Sequence, residues 1–156
     1  MTAPIALLID ADACPVKDEC YRVARRYGLD VRVVANSFIR VPTSDTVRLV
    51  VVPDGFDAAD DWIAARAGPQ SIVITADILL AQRCLEAGAQ VIAPNGKPFT
   101  PANIGGAIAT RAIKADLRDT VVGGLAGGPA PFTKADRSAF LQALDQAVVA
   151  LKRPRA

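Results

Sequence analysis

The first strand is the feature that most constrains the fold of this chain. The apolar run of residues 5–9 ends abruptly at Asp10 and Asp12, and Pro15 follows three residues later. Such a run predicts a strand buried on both faces, and a proline suits the first turn of the following helix. In open α/β sheets, ligands bind at the carboxyl ends of the strands. The two aspartates therefore form a candidate site for a metal ion or for phosphate chemistry, although Asp12 also suits a helix cap.

The rest of the chain repeats this alternation of strands and helices. Strands are predicted at 31–35, 48–52, 71–77 and 89–92, and helices at 16–27, from 57 or 58 onward, at 78–87, at about 101–119 and at about 133–151. The pattern predicts the α/β class: a three-layer α/β/α sandwich with a mainly parallel sheet of about five strands. We expect Leu8, Val33, Val51 and Ile74 in central strands, since four of the five strands are apolar throughout.

The domain organisation predicted from the sequence is simple. A chain of 156 residues fits one domain, spanning 1–156. A Gly/Pro-rich link at 123–131 precedes the last predicted helix. That helix begins after Thr133, a good N-cap, and its apolar face should pack on the body of the domain.

The amino-acid composition restricts the available chemistry. The chain contains no histidine, which excludes Ser-His-Asp triads, histidine bases and histidine-ligated zinc. Its three cysteines show no C-x-x-C spacing and are expected to be reduced thiols. We expect no membrane contact and a cytoplasmic location, because no apolar stretch could span a bilayer and the N-terminus lacks a secretion signal. Carboxylates without imidazole favour Mg²⁺ or Mn²⁺ as the cofactor.

Aspartates recur where strands end and helices begin. Asp77 ends the fourth predicted strand as Asp10 ends the first, so a parallel sheet places both at one edge. Asp60 and Asp61 share one face of the helix predicted from 57 or 58 onward. Trp62 lies on the opposite face, where we expect it to be substantially buried and its indole N–H to have a hydrogen-bond partner. Acids in a first turn also stabilise the helix dipole, so a structural role stays open. We predict metal ligands at Asp10, Asp60, Asp61 and Asp77, because a cation would relieve their repulsion.

The polar loop after the second strand leaves the same edge of the predicted sheet. Asn36, Ser37 and Arg40 are candidates for contacts with phosphate oxygens, although Asn and Ser are also ordinary turn residues. Lys17, in the first turn of the first helix, is a further candidate for positioning a substrate.

Several stretches resemble the uncharacterised bacterial YaiI/YqxD family over nearly the whole chain, namely residues 10–17, 35–40, 55–63, 75–77 and 127–132. That family is similar to the PIN-like nucleases, whose acids at strand ends and on one helix bind Mg²⁺ or Mn²⁺ to cut RNA. The resemblance implies that Asp10 is the first-strand acid, Asp77 the acid after a central strand, and Asp60 or Asp61 the helix acid. This chain departs from the nuclease pattern in two ways. The helix acid is an aspartate instead of a glutamate, and no clear fourth acid follows Asp77. Asp12 is the candidate to replace that fourth acid.

These observations leave three hypotheses for the function. The leading one is a metal-dependent phosphodiesterase or ribonuclease that acts on RNA or another nucleic acid, with catalytic residues Asp10, Asp12, Asp60, Asp61 and Asp77. A second is an aspartyl-phosphate phosphatase with Asp10 as nucleophile and Asp12 as general acid, although the usual Thr or Ser two residues after Asp12 is missing. The third is a non-catalytic module that binds RNA or a protein through the same edge.

Overall fold

The architecture is an alternation of strands and helices, seen in a computed structural model that describes residues 4–53, 57–109 and 132–152. The strands are β1 (Ala6–Asp10), β2 (Asp30–Ala35), β3 (Val47–Val51), β4 (Ser71–Ile74), β5 (Gln90–Ile92) and β6 (Pro98–Phe99). The helices are α1 (Lys17–Tyr27), α2 (Ala58–Arg66), α3 (Ile78–Glu86), α4 (described at 101–109) and α5 (Lys134–Lys152). A 3₁₀ turn, Ala11–Ala13, joins β1 to the segment before α1.

The strands form one sheet in the order β3-β2-β1-β4-β5-β6. The first five are parallel, and β6 runs antiparallel to β5. β1 lies between β2 and β4, with Asp10 opposite Val34 and Ile9 opposite Ile74. This register brings the ends of β1, β2 and β4 to one side of the sheet, which we call the carboxyl edge.

Helices cover both faces of the sheet. Leu7 and Ile9 of β1 lie in a core shared with α1 and α5, whereas Leu8 lies in a second core shared with α2 and α3. The split follows from the period of two in a strand, which sends successive side chains to opposite faces. Because both faces are buried under helices, the fold is a three-layer α/β/α sandwich, and the predicted fold class is confirmed.

The last helix packs on this body as its sequence predicts. Phe140, Leu144 and Val148 lie on one face of α5 and are fully buried. At its start, the hydroxyl of Thr133 accepts from the N–H of Asp136 at 3.1 Å, and the N–H of Thr133 donates to Oδ2 of Asp136 at 2.9 Å. These reciprocal bonds cap the first turn of the helix.

The turn after β5 approaches the backbone of α5 closely. Gly96 has a positive φ of 89°, and a Cβ at this position would lie 2.6 Å from the carbonyl carbon of Ala139. Only glycine fits there without moving the helix. The Asn95-Gly96 turn therefore sets how near α5 can dock.

Three details differ from the sequence expectations. The prediction that Val51 belongs to a central strand is wrong, because β3 is the outer strand of the sheet and Val51 is 52% exposed. An apolar run alone does not distinguish the two cases, since exposed surfaces also carry many apolar residues. Within the described residues the sheet has six strands instead of about five. The additional strand, β6, is only two residues long and too short to leave a pattern in the sequence. Trp62 is partly buried beneath the guanidinium of Arg66, 3.8 Å from the ring centre, and no described residue accepts a hydrogen bond from its indole N–H.

Part of the C-terminal half cannot be compared with prediction. Residues 110–119 of the predicted fourth helix and the predicted link at 123–131 lie outside the described residues. Among the helices that are described, none combines the length and the apolar composition needed to cross a membrane.

Candidate functional site

Asp10 is the last residue of β1 and lies partly buried in the middle of the carboxyl edge. Its Oδ2 accepts a hydrogen bond of 2.8 Å from the hydroxyl of Thr75. Burial raises the pKa of Asp10, and the carboxylates of Asp12 and Asp77 raise it further, while the Thr75 hydrogen bond lowers it. This carboxylate is therefore held by a neutral hydroxyl and faces other acids.

Asp77 follows β4 and opens α3. Its Oδ1 accepts from the N–H groups of Leu79 at 2.9 Å and Leu80 at 3.2 Å, which makes it the N-cap of the helix. Its own N–H donates to the hydroxyl of Thr75 at 3.0 Å. Thr75 therefore links Asp10 to Asp77 through two hydrogen bonds. The cap role expected of a structural acid is present here, yet the same side chain also raises the pKa of Asp10.

Asp60 lies on α2, near Asp10 and Asp77 at the carboxyl edge. Burial raises the pKa of Asp60 to about 6, with further contributions from the charges of Asp77, Asp10 and Asp57 in that order. The side chain is partly buried. Acids from three different elements thus meet at the carboxyl edge, where the charge of Asp77 raises the pKa of both Asp10 and Asp60. We call Asp10, Asp60 and Asp77 the acidic cluster.

Asp61 does not join the acidic cluster. Its Oδ1 accepts a hydrogen bond of 2.9 Å from the guanidinium of Arg83 on α3, and both side chains are mostly exposed, at 67% and 46%. Asp60 and Asp61 are adjacent in sequence, but Asp61 is paired with Arg83, whereas the charges of Asp77 and Asp10 act on Asp60 and raise its pKa. The structure thus separates the two helix acids that the sequence left as alternatives.

Asp12 lies in the 3₁₀ turn and is exposed. It is near enough to Asp10 to raise the pKa of that carboxyl group. The N-cap position of α1 is occupied by Val16, and no side chain caps that helix. The alternative that Asp12 is simply a helix cap is therefore wrong, because the turn and Pro15 separate it from the helix.

Lys17 fixes the turn that carries Asp12. Its Nζ donates to the carbonyl oxygens of Ala11 at 3.3 Å and Cys14 at 2.9 Å. The thiol of Cys14 hydrogen-bonds with that of Cys20, which lowers the pKa of Cys14 despite its burial. Lys17 thus braces the backbone next to Asp10, and its role in positioning a substrate stays a prediction.

The loop after β2 lies beside the acidic cluster, since β2 pairs with β1. Asn36, Ser37 and Arg40 are all exposed in it, and their side chains form no hydrogen bond with a described residue. Phe38 is 81% exposed between them. These donors are therefore free to contact a ligand at the carboxyl edge.

Thr75 belongs to the site, although it is not among the candidate residues predicted from the sequence. It is buried, at 1% exposure, and its hydroxyl bonds to both Asp10 and the backbone of Asp77. The available signal is a hydroxyl residue at the end of an aliphatic strand, two positions before a strand-end aspartate. In a strand, however, threonine is an ordinary β-branched residue, which hides this signal.

The acidic cluster matches a divalent cation in ligand type and charge. Carboxylate oxygens are the ligands that Mg²⁺ and Mn²⁺ prefer, and Asp10 and Asp60 form no ion pair with a described residue. Across residues 4–53, 57–109 and 132–152, no three Asp, Glu or Cys side chains lie close enough together to hold one ion. A bound cation would therefore have to draw these carboxylates together.

Comparison with known proteins identifies relatives along nearly the whole chain. The family model described as "Uncharacterized BCR, YaiI/YqxD family" matches residues 8–150. A UPF0178 protein of Sphingopyxis alaskensis is 66% identical over 98% of this chain and 98% of its own length. One from Rhodopseudomonas palustris (strain HaA2) is 56% identical over 97% of this chain and 93% of its own. One from Rhodospirillum centenum is 55% identical, with coverages of 96% and 98%. No solved structure matches the chain.

Proposed function

The chain belongs to the uncharacterised YaiI/YqxD family, and from its carboxyl edge we propose that it is a divalent-metal-dependent phosphodiesterase acting on RNA or a related nucleic acid. The observation that carries this proposal is that Asp10 at the end of β1, Asp77 at the start of α3 and Asp60 on α2 meet at the carboxyl edge. Burial and the charges of Asp77 and Asp10 accordingly raise the pKa of Asp60 to about 6. Asp60 has neither a basic partner nor a capping bond among the described residues. A buried acid whose pKa is raised further by neighbouring acids is typical of a functional site.

Asp10, Asp60 and Asp77 would hold the cation, which we propose to be Mg²⁺ or Mn²⁺. When bound, such an ion supplies Lewis-acid stabilisation of a phosphate and a water molecule of lowered pKa. The chain positions these ligands in a specific way. Thr75 fixes one oxygen of Asp10, and the first turn of α3 fixes one oxygen of Asp77, which leaves the other oxygen of each available.

The residues around the acidic cluster suggest how a nucleic acid would be held. Arg40, Asn36 and Ser37 present exposed donors on the loop beside β1, and such donors commonly position phosphates. Asp12 is exposed next to Asp10 and would be within reach of a bound substrate. We also propose a cytoplasmic location, which the three free cysteines support because disulfides are rare there.

Cleavage of an RNA oligonucleotide by the full-length protein tests this proposal. We expect products with Mn²⁺ and none with EDTA. Asp60→Asn should abolish cleavage, whereas the matched control Asp61→Asn should retain it, because Asp61 is paired with Arg83. Equal activity of both variants would contradict the proposed ligand set.

The same preparation separates the other two hypotheses. A phosphoryl group covalently attached to Asp10, detected by mass spectrometry after incubation with a phosphate monoester, would indicate the phosphatase. RNA binding without cleavage, and without any effect of Mn²⁺, would indicate a binding module. Either result would overturn the phosphodiesterase proposal.

A further inference from the structure

A second cavity lies away from the acidic cluster, between α1 and the loop that joins β2 to β3. Its volume is about 340 Å³, which is within the usual range for small-molecule sites. Polar side chains supply much of its lining, namely those of Tyr21, Arg25, Thr43, Ser44 and Thr46. No carboxylate of the described residues lines it, although the charge of Asp18 on α1 acts on Tyr21. Because α1 starts near the carboxyl edge and Val47 begins β3 at the opposite edge, this cavity and the acidic cluster are separate sites.

Tyr21 is one of the residues that line the cavity, and its hydroxyl is unusual. The residue is only 9% exposed, and its buried hydroxyl has no hydrogen-bond partner among the described residues. Buried polar groups in folded proteins are nearly always paired, so an unpaired one calls for an explanation such as a bound ligand. Burial raises the pKa of Tyr21 to about 12, so the hydroxyl stays protonated and can donate.

Arg25 supplies the positive charge of the cavity. It is exposed and forms no ion pair with a described residue. The neighbouring Arg26, in contrast, is engaged with Asp145 at 3.2 Å. A free guanidinium beside several hydroxyls is the combination that recognises phosphate oxygens.

The opposite wall is held in place by local hydrogen bonds. The hydroxyls of Ser44 and Thr46 are 3.1 Å apart, and the N–H of Thr46 donates to Ser44 Oγ at 3.2 Å. The carbonyl oxygen of Thr46 accepts from the N–H of Val31 in β2 at 2.7 Å. The wall is therefore tied to the sheet before any ligand arrives, which reduces the entropic cost of binding.

We propose that this cavity binds a small phosphorylated molecule, whose phosphate is held by Arg25 and the hydroxyls of Tyr21 and Ser44. The volume exceeds what a phosphate ion needs and suits a ligand of about the size of a mononucleotide. Pro42 and Val47 provide apolar lining for the remainder of such a ligand. The site is independent of the phosphodiesterase proposal, since none of its lining residues belongs to the acidic cluster.

Calorimetric titration of the full-length protein tests this inference with three probes: adenosine 5′-monophosphate, inorganic phosphate and adenosine. We expect the monophosphate to bind, inorganic phosphate to bind more weakly, and adenosine not to bind. A 5′-phosphorylated oligonucleotide identifies the source of the phosphate. If it competes with the monophosphate, the site accepts nucleic-acid ends; if it does not, the site takes free small molecules, and both results agree with a phosphate site.

Two variants and a matched control make the test specific. Tyr21→Phe should weaken binding of the monophosphate by roughly tenfold or more and leave the melting temperature unchanged or higher, because its hydroxyl has no partner to lose. Arg25→Ala, at an exposed position, should weaken binding at least as much. Arg22→Ala, an exposed arginine of the same helix outside the cavity, should bind as the wild type does.

Three results would overturn the inference. The first is the absence of binding of any phosphorylated probe to the wild-type protein at millimolar concentration. The second is binding that survives both Tyr21→Phe and Arg25→Ala. The third is an Arg22→Ala variant that loses as much affinity as Arg25→Ala, which would indicate nonspecific attraction to the basic face of α1.

Discussion

Carboxylates in the contact between α1 and α5 have basic partners, which no described residue provides to the acidic cluster. Glu19 lies 3.0 Å from a guanidinium nitrogen of Arg137. Asp145 accepts from Arg26 at 3.2 Å and from the hydroxyl of Tyr27 at 2.6 Å. Each of these acids on one helix meets a donor on the other, so neutralising the acid should weaken the contact between the helices.

In the acidic cluster, Asp10 accepts a hydrogen bond from the neutral hydroxyl of Thr75. Asp60 has no ion-pair partner among the described residues. Burial and neighbouring negative charge raise the pKa of both. The difference between the two regions indicates that acids hold two helices together at one place, whereas the acids at the other place have no basic partner. Tolerated repulsion of this kind suggests a ligand that relieves it, and a divalent cation does so.

The largest effect that tests this comparison is on catalysis. Asp10→Asn and Asp77→Asn should each remove Mn²⁺ binding and reduce RNA cleavage by at least roughly 100-fold, because each loses a proposed ligand. Initial cleavage rates measure the loss, and circular dichroism verifies that the fold is retained. Cleavage at wild-type rates in either variant would place the site elsewhere.

On the paired side of the comparison, Arg137→Ala should destabilise the protein by about 1 to 2 kcal/mol. It leaves Glu19, whose side chain is only 13% exposed, without its partner, and it removes the 2.8 Å hydrogen bond to the carbonyl of Pro15. Urea denaturation measures the change. Arg22→Ala, exposed on α1 and unpaired among the described residues, is the control and should change stability by less than about 0.5 kcal/mol.

Asp77 allows its two roles to be separated. Asp77→Asn keeps an oxygen that can accept from Leu79 and Leu80, whereas Asp77→Ala loses the cap. In metal-free protein, the alanine variant should therefore be less stable than the asparagine variant by about 1 kcal/mol. Urea denaturation in EDTA provides the comparison. Equal stability of the two would show that the cap contributes nothing.

The smallest expected effect is the pH dependence of Asp60. Burial and neighbouring acids raise the pKa of Asp60 from its ordinary value of 3.8 to about 6, so the folded state binds the proton more tightly. The stability gained from this proton is fully present below the unfolded pKa and is lost as pH rises through about 6. Because the side chain is partly exposed to solvent, the loss should be no more than about 1 kcal/mol.

The matched variant isolates this contribution. In metal-free protein, the stability of Asp60→Asn relative to the wild type should rise between about pH 5 and about pH 7. Asp61→Asn, which removes the neighbouring carboxylate outside the acidic cluster, is measured in parallel as the control. A flat difference for Asp60→Asn would mean that the acidic cluster carries no unfavourable charge.

Much of the fold could be predicted because a strand buried on both faces appears in the sequence as a continuous apolar run. Apolar runs before Asp10 and Asp77 identify two buried parallel strands and place both acids at the carboxyl edge. The prediction failed at Val51, whose edge position depends on the order of strands in the sheet, a long-range property. The two-residue β6 is defined only by its pairing with β5.

The site could be predicted less completely than the fold. Asp60 and Asp61 occupy the same face of a helix, so only the position of Arg83 on α3 shows that Asp61 is paired. The bonds of Lys17 to backbone carbonyls depend on the shape of a turn, which side-chain types do not reveal. Thr75 could not be predicted from its residue type either, because its role depends on the hydrogen bond to Asp10 on the neighbouring strand β1.

The most direct test of the central proposal is a crystal of the protein soaked in Mn²⁺ and measured for anomalous scattering. We predict a peak bounded by the carboxylates of Asp10, Asp60 and Asp77, with the carboxylates drawn together around it. Crystals of Asp60→Asn treated identically should show a weaker peak or none. A wild-type map without a peak at this position, at millimolar Mn²⁺, would contradict the proposal that the acidic cluster is a metal site.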